Sequence, residues 1–194
     1  LELGSSLILE GSVMEAADSL KLLIRLIDVS PKEHLLMVDE YNEAMPNVLN
    51  IPKELAVDIT RKTGIRLTDS EKQHLKKHRA VDTTAYRYYL LGMHSLNRGS
   101  TEDFKQGIRY LLQAINTDPG EPLALAGLAM GYAIQGHGMV LPEGSFRTAA
   151  AAAERASKID PTLSEAYTAM AMFNSYQEWD WPKARRDFEK ALSY

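Results

Sequence analysis

The sequence predicts an α+β fold that is mainly α. A partial α/β N-terminal region, a β-meander plus a helix, precedes an α-helical superhelix. Three observations lead to this reading. Residues 20–29 place Leu20, Leu22, Ile24 and Leu26 on one face at period two, the rhythm of a strand. Beyond residue 50 the apolar spacing changes to that of a helix. Over the last hundred-odd residues one pattern of small side chains returns three times, the mark of stacked repeats.

The elements follow in order. Residues 5–16 hold a β-prone core, and Ala17, Asp18 and Ser19 break it. Residues 20–29 form the second strand; its other face, Lys21, Leu23, Arg25 and Ile27, is only partly apolar. Ser30, Pro31, Lys32 and Glu33 supply turn chemistry before a third run, residues 34–41. Short polar turns favour an antiparallel meander, and three strands bury little without a covering helix or further strands. That helix begins at Asn50, a capping residue, with Pro52 in its first turn. Ile51, Leu55 and Ile59 carry it to Thr63-Gly64. Thr68 and Glu71 have the spacing of a capping box. From Asp82 onward the pattern is helical throughout, broken at 97–101, 118–121, 136–144, 160–163 and 178–181, so helices of about 12–16 residues come in pairs. The expected domains are 1–63, a helical connector at 64–81, and an array of about three repeats at 82–194.

Composition narrows the function. Hydrophobic residues make up 45% and charged residues 25% of the 194, ordinary globular values. With 22 basic against 26 acidic residues the net charge is −4. Binding to nucleic acid by a basic surplus is therefore not expected. The absence of cysteine excludes disulfides, thiolate nucleophiles and Cys-ligated zinc. No apolar run nears the roughly 20 residues of a membrane span, and no signal peptide is present. A cytoplasmic location without membrane contact is expected. The chain opens at Leu1 and stops soon after a strongly helical stretch, so it reads as a piece of a longer protein.

Residues 107–119 align with 149–161 and then with 184–194. Small residues stand at Gly107, Ala149 and Ala184, and seven positions later at Ala114, Ala156 and Ala191. Pro119 and Pro161, each preceded by Asp, close the first two copies. The partner helices share a large–large–small rhythm: Tyr88, Leu91, Gly92; Leu125, Leu128, Ala129; Tyr167, Met170, Ala171. This pattern resembles the tetratricopeptide repeat (TPR), in which helices A and B approach closely where one offers Gly or Ala and the other a large side chain. The proline spacing is 161 − 119 = 42 against the family's 34. The excess lies at 136–144, a loop insertion between helices A and B of repeat two. At the aromatic position stand Leu111, Ala153 and Phe188, so only the third copy matches.

A wider likeness covers most of the chain. Leu9-Glu10-Gly11-Ser12-Val13, Leu26-Ile27-Asp28-Val29, Tyr41, Glu54-Leu55-Ala56, Ala85-Tyr86 and Trp179-Asp180-Trp181 look like a bacterial module in which a TolB-N-terminal-like α/β region precedes TPR repeats. That resemblance implies an effector domain upstream: a winged-helix domain as in transcription activators, a nucleotide cyclase or a protein kinase. It also implies that about half of the α/β region, its first strand included, lies before Leu1.

Catalytic signatures are lacking. His74 and His78 have the i, i+4 spacing of two metal ligands. Lys72, Lys76, Lys77 and Arg79 surround them and no third ligand stands nearby, so a solvated basic face is expected. No phosphate loop, dinucleotide fingerprint, nucleophile elbow or metalloprotease motif occurs. No catalytic residue, cofactor or metal is assigned. At Trp179-Asp180-Trp181-Pro182, Asp180 is expected to cap a helix while the tryptophans staple the turn to the neighbouring repeat.

The TPR resemblance implies a concave groove lined by helix A just after the bulky residue and one and two turns on. These positions are Tyr89, Met93 and Asn97; Ala126, Met130 and Ile134; Thr168, Met172 and Tyr176. None of Tyr89, Met93, Met130 or Met172 can clamp a carboxylate as chaperone-binding members do. The expected partner is a protein or peptide offering apolar or aromatic side chains. A stripe filled by an adjoining repeat, or by a second copy of the chain, stays open. The leading function is a non-catalytic interaction module of a bacterial signalling or transcription-regulatory protein. The alternatives are the regulatory part of a cyclase or kinase, or a purely structural homodimerisation module.

Overall fold

The computed structural model describes residues 6–30, 33–75, 79–135 and 144–194, the side chains of residues 70, 73, 74, 134 and 135 aside. The chain divides into two compact units, Leu1–Val81 and Asp82–Tyr194.

In the first unit β1 (Leu7–Ala16), β2 (Ser19–Asp28) and β3 (His34–Ala44) form an antiparallel meander in that order. A two-residue turn joins β1 to β2, with Ala17 at a left-handed φ of 51°, the geometry that matches strand twist in a tight hairpin. Ile24 pairs with Gly11 and Asp39, and Leu26 with Leu9 and Met37. The period-two row of β2 therefore shares a face with Met37 and Tyr41. Ile24, Leu26, Met37 and Tyr41 are buried. From that face the Tyr41 hydroxyl donates to Asp58 Oδ2 at 2.9 Å, tying the sheet to α1 (Ile51–Thr63). Ile27 departs from strict alternation. The ladder shifts register between Leu26 and Ile27, and both side chains are buried, as a β-bulge allows.

A 3₁₀ turn (Met45–Asn50) precedes α1, an element the spacing did not announce. Asn50 is already helical in φ and ψ and makes no capping bond through its side chain; the turn has taken over the start of the helix. Pro52 does occupy the first turn, and Gly64 ends α1 at φ 72°. The Thr68–Glu71 pair caps α2 (Asp69–Leu75) reciprocally: Glu71 N–H donates to Thr68 Oγ1 at 3.3 Å and Thr68 N–H to Glu71 Oε2 at 2.6 Å.

The second unit is a TPR-like stack of three antiparallel helix pairs: α3 (Thr83–Arg98) with α4 (Thr101–Thr117), α5 (Pro122–Gln135) with α6 (Ser145–Ile159), and α7 (Ser164–Tyr176) with α8 (Trp181–Ala191). Residues 136–143 of the inserted loop fall outside the described residues. The small residues sit where helices meet. Gly107, Ala114, Ala149, Ala153, Ala156 and Ala184 are all buried. Gly92 and Gly107 face one another: a Cβ on Gly92 would lie 2.7 Å from Leu111 Cγ, and one on Gly107 would lie 3.0 Å from Gly92 O. The two Asp-Pro corners have one geometry. Asp118 and Asp160 have φ −130° and −127°, both with ψ 96°, and their N–H groups return to Ala114 O and Ala156 O. Each side chain then accepts from the amide two residues on, Gly120 at 2.8 Å and Thr162 at 3.0 Å.

The tryptophan corner is half as expected. Asp180 accepts from Lys183 N–H at 3.0 Å and Pro182 is in the first turn. Trp179 and Trp181 are 68% and 55% exposed, and they pack edge-to-face on each other at 5.9 Å. Both rings thus stand largely in solvent rather than buried as a staple between repeats, and Trp179 sits at a left-handed φ of 54°.

Candidate peptide-binding groove

Helix A of each pair supplies one row of the candidate groove. On α3, Tyr89 and Met93 lean onto α5 where Gly127 leaves room: a Cβ there would stand 3.0 Å from Met93 Sδ and 3.4 Å from Tyr89 Cε2. Both are half-buried and pack against the core that Leu111, Leu125 and Leu128 form. Asn97, at the end of α3, is exposed. On α5, Ala126 is buried and belongs to the floor, whereas Met130 is half-buried against the core. The Ile134 side chain lies outside the described residues. On α7, Thr168 is half-buried and donates to Ser164 O at 3.0 Å; Met172 is half-buried and Tyr176 exposed. The three methionines thus share one state, neither core nor free. A flexible thioether in that position adapts to side chains of varied shape.

Two further residues belong to the row. Tyr86 stands three positions before Tyr89 and stacks on it, with ring centroids 5.8 Å apart and planes 30° apart. Glu165 stands three positions before Thr168, on the same helical face. The Tyr89 hydroxyl is pushed up to about 12, first by burial and then by the negative fields of Glu165, Tyr86 and Glu121. Glu121 is a buried carboxylate that accepts from Leu123 N–H at 3.0 Å. The i−3 spacing from Tyr89 and Thr168 was the signal for Tyr86 and Glu165. Counting the row from the residue after the bulky position passed over it.

Among the described residues no group of three or more His, Asp and Glu side chains is placed to hold a metal ion. The His74–His78 pair lies outside the described side chains. A cleft of about 330 Å³ in the first unit is lined by Thr60, Arg61, Ile65, Arg66, Leu67 and Lys72. Arg61 and Lys72 there are already paired with Asp58 at 3.0 Å and Asp69 at 3.2 Å. No helix among the described residues is long and apolar enough to cross a membrane.

No family model matches the chain. A curated protein, "Putative adenylate cyclase 3" of Rhizobium meliloti (strain 1021), is 25% identical over 129 residues, which is 66% of this chain and 22% of the relative. The chain thus matches about a fifth of that relative's length. Two solved structures are similar to part of the chain. The second TPR of Spaghetti (RPAP3), bound to the HSP90 peptide SRMEEVD, has a TM-score of 0.46 and 21% identity over 57% of this chain and 91% of that one. MamA has a TM-score of 0.45 and 25% identity over 58% of this chain and 59% of that one.

Proposed function

We propose that this chain is a non-catalytic protein-interaction and regulatory module of a larger signalling or transcription-regulatory protein. In this reading the helix-A face of the array binds the apolar and aromatic side chains of a peptide or protein partner. One observation carries it: the half-buried row of Tyr89, Met93, Met130 and Met172, set on a floor of Ala126 and Gly127. Side chains already packed along one edge, with the other edge open, bury further area when a peptide lies on them and need little ordering to do so. The test is selection of phage-displayed random 12-residue peptides on the full chain, followed by fluorescence anisotropy of the winners. Apolar and aromatic residues should be enriched, and Met130→Glu should weaken binding at least tenfold while the protein stays helical. Winners indifferent to both Met93→Glu and Met130→Glu would overturn the reading.

A second reading concerns context. The relative named as a putative adenylate cyclase favours a place beside a cyclase domain, where occupancy of the groove would bias effector geometry. The homodimerisation alternative draws on β1, an edge strand whose Ile8, Leu9, Val13 and Met14 are exposed. Sedimentation velocity across a concentration series separates it: a dimer dispersed by Val13→Lys supports it, and a monomer at every concentration removes it.

A further inference from the structure

The two edges of the three-stranded sheet are built differently. β3 carries Asp39, Glu40 and Glu43, and an extra residue, Leu36, where its ladder with β2 shifts. Charge and a bulge both discourage an edge from pairing. β1 pairs with β2 residue for residue from Leu7 to Ala16, and its sequence LILEGSVMEA contains neither Lys nor Pro. It is apolar on both faces. Leu9 and Val13 share the face of Leu26 and Leu22, Ile8 and Met14 lie on the other, and all four are exposed. Glu10 is held by Arg25 of its own sheet at 3.7 Å.

The backbone of β1 is turned outward at alternate residues. Val29 N–H donates to Ser6 O at 2.9 Å, one step beyond the Leu7–Asp28 pair. Those two residues stand opposite each other, so the even-numbered residues of β1 form the hydrogen-bonded pairs with β2. The N–H and C=O groups of Leu9, Gly11 and Val13 therefore point to the outer side of the sheet, where β1 is the last of the described strands.

A second β1 fits there in one register. Around a two-fold axis normal to the sheet, antiparallel β1 strands with Gly11 opposite Gly11 set Leu9 against Val13, Ile8 against Met14 and Glu10 against Ser12. These four exposed apolar side chains all meet one another, and each Glu10 stays with its own Arg25. A slip of two residues one way sets Glu10 against Glu10, and the other way sets Leu9 against Glu15. Gly11 suits the axis because Ile24 already fills the space above it: a Cβ there would lie 2.7 Å from Ile24 Cδ1. The row Met37, Leu26, Leu9 then runs on into Val13, Leu22 and Tyr41 of the second copy.

We propose that β1 seats a second copy of this chain, the two strands pairing antiparallel with Gly11 opposite Gly11 to make one six-stranded sheet. This rests on the homodimerisation reading above and fixes its geometry.

The experiment uses the full chain, which has no cysteine, so every disulfide reports an introduced pair. In the proposed register positions 10 and 12 of opposite copies form a non-hydrogen-bonded pair with Cα atoms about 4.5 Å apart, within reach of a disulfide. In glutathione buffer an equimolar mixture of Glu10→Cys and Ser12→Cys chains should crosslink at least tenfold faster than either variant alone. Each variant alone reports one of the slipped registers. Val13→Lys should raise the dimer dissociation constant from sedimentation at least tenfold. Val13 is 65% exposed, and circular dichroism checks that the variant keeps its fold. Faster crosslinking of a single variant, with the dimer still dispersed by Val13→Lys, would overturn the register and leave a β1 dimer standing. A dimer indifferent to Val13→Lys would overturn both. So would a monomer at every concentration: exchange protection of the Leu9, Gly11 and Val13 amides would then mean that the chain covers this edge itself, and fast exchange that the edge is left to a strand of another protein.

Discussion

At the scale of single residues the array depends on side chains that are missing. Gly92 and Gly107 let α3 and α4 approach until backbone oxygens and leucine branches fill the gap. A methyl at position 92 would stand 2.7 Å from Leu111 Cγ, and one at 107 would stand 2.9 Å from Leu96 Cγ. These are branch points near the backbone, so relief requires the helices to move. Gly92→Ala or Gly107→Ala should each cost about 1–3 kcal/mol in urea unfolding, despite the gain in helix propensity. Gly127→Ala meets side-chain ends alone, a terminal methyl of Leu111 and the sulfur of Met93 at 3.0 Å and the rim of Tyr89 at 3.4 Å, and should cost less than either. Equal losses at all three positions would show that close approach is not the cause. Tyr89 makes a second residue-scale prediction. Its hydroxyl is pushed from the ordinary 10 up to about 12 by burial and by Glu165. A raised folded value means the stabilising difference is complete below pH 10 and is lost as pH rises from 10 through about 12. Ultraviolet titration of wild type minus Tyr89→Phe should show one tyrosinate forming near pH 12, and a difference curve centred at pH 10 would contradict it.

At the scale of elements, helix ends carry much of the specification. Ser100 accepts from Asp103 N–H at 3.1 Å and donates back to Asp103 Oδ2 at 2.6 Å. These bonds, with Arg98, hold the Asp103 carboxyl below its usual range. A lowered folded value means the contribution is present above the unfolded carboxylate value of about 3.9 and fades as pH falls through the folded one. Ser100→Ala removes the cap and should lower stability at pH 7, and the gap between variant and wild type should narrow in acid. A gap constant down to pH 2 would assign the loss to something else. The same chemistry explains what the sequence made legible. Caps such as Asp180 and Thr68–Glu71, the Asp-Pro corners and the small residues at 107, 149 and 184 act on near neighbours or on a fixed repeat register. They can be read without coordinates. The bulge at Leu26–Ile27, the 3₁₀ turn before α1 and the solvent-facing Trp179 and Trp181 were not legible, because each answers to how distant segments meet. The candidate site divides along the same line. Tyr89, Met93, Met130 and Met172 follow from repeat register. The influence of Glu165 and the buried Glu121 on Tyr89 joins residues far apart in sequence, a property of the stack.

At the scale of the whole array, stability should fall off toward its last pair. A stack of repeats gains its energy from each helix being covered on both sides. Leu111 shows this state: it is fully buried between Gly92 of its own pair and Gly127 of the next, with its Cδ2 3.0 Å from where a Gly127 Cβ would stand. Ala153 holds the same register in the second pair and is also 0% exposed. Phe188 holds it in the third and is 39% exposed, because among the described residues no helix packs on the outer side of α8. Its neighbour in register, Ala191, is likewise only part-buried, where Ala114 and Ala156 are sealed. The end of the chain packs back onto α7 instead: Tyr194 stacks on Tyr167 at 5.8 Å and Lys190 lies 4.4 Å from that ring. Leu111→Ala should therefore cost about 2–5 kcal/mol, while Phe188→Ala, although it removes a larger side chain, should cost only about 1 kcal/mol. Hydrogen exchange on this 194-residue chain should open α8 first and the α4–α5 interface last. Protection of α8 equal to that of α4, together with equal costs for the two substitutions, would mean that α8 is covered on its outer face in solution. The natural candidate for that cover would then be a second copy of the chain, detectable as a concentration-dependent rise in sedimentation coefficient.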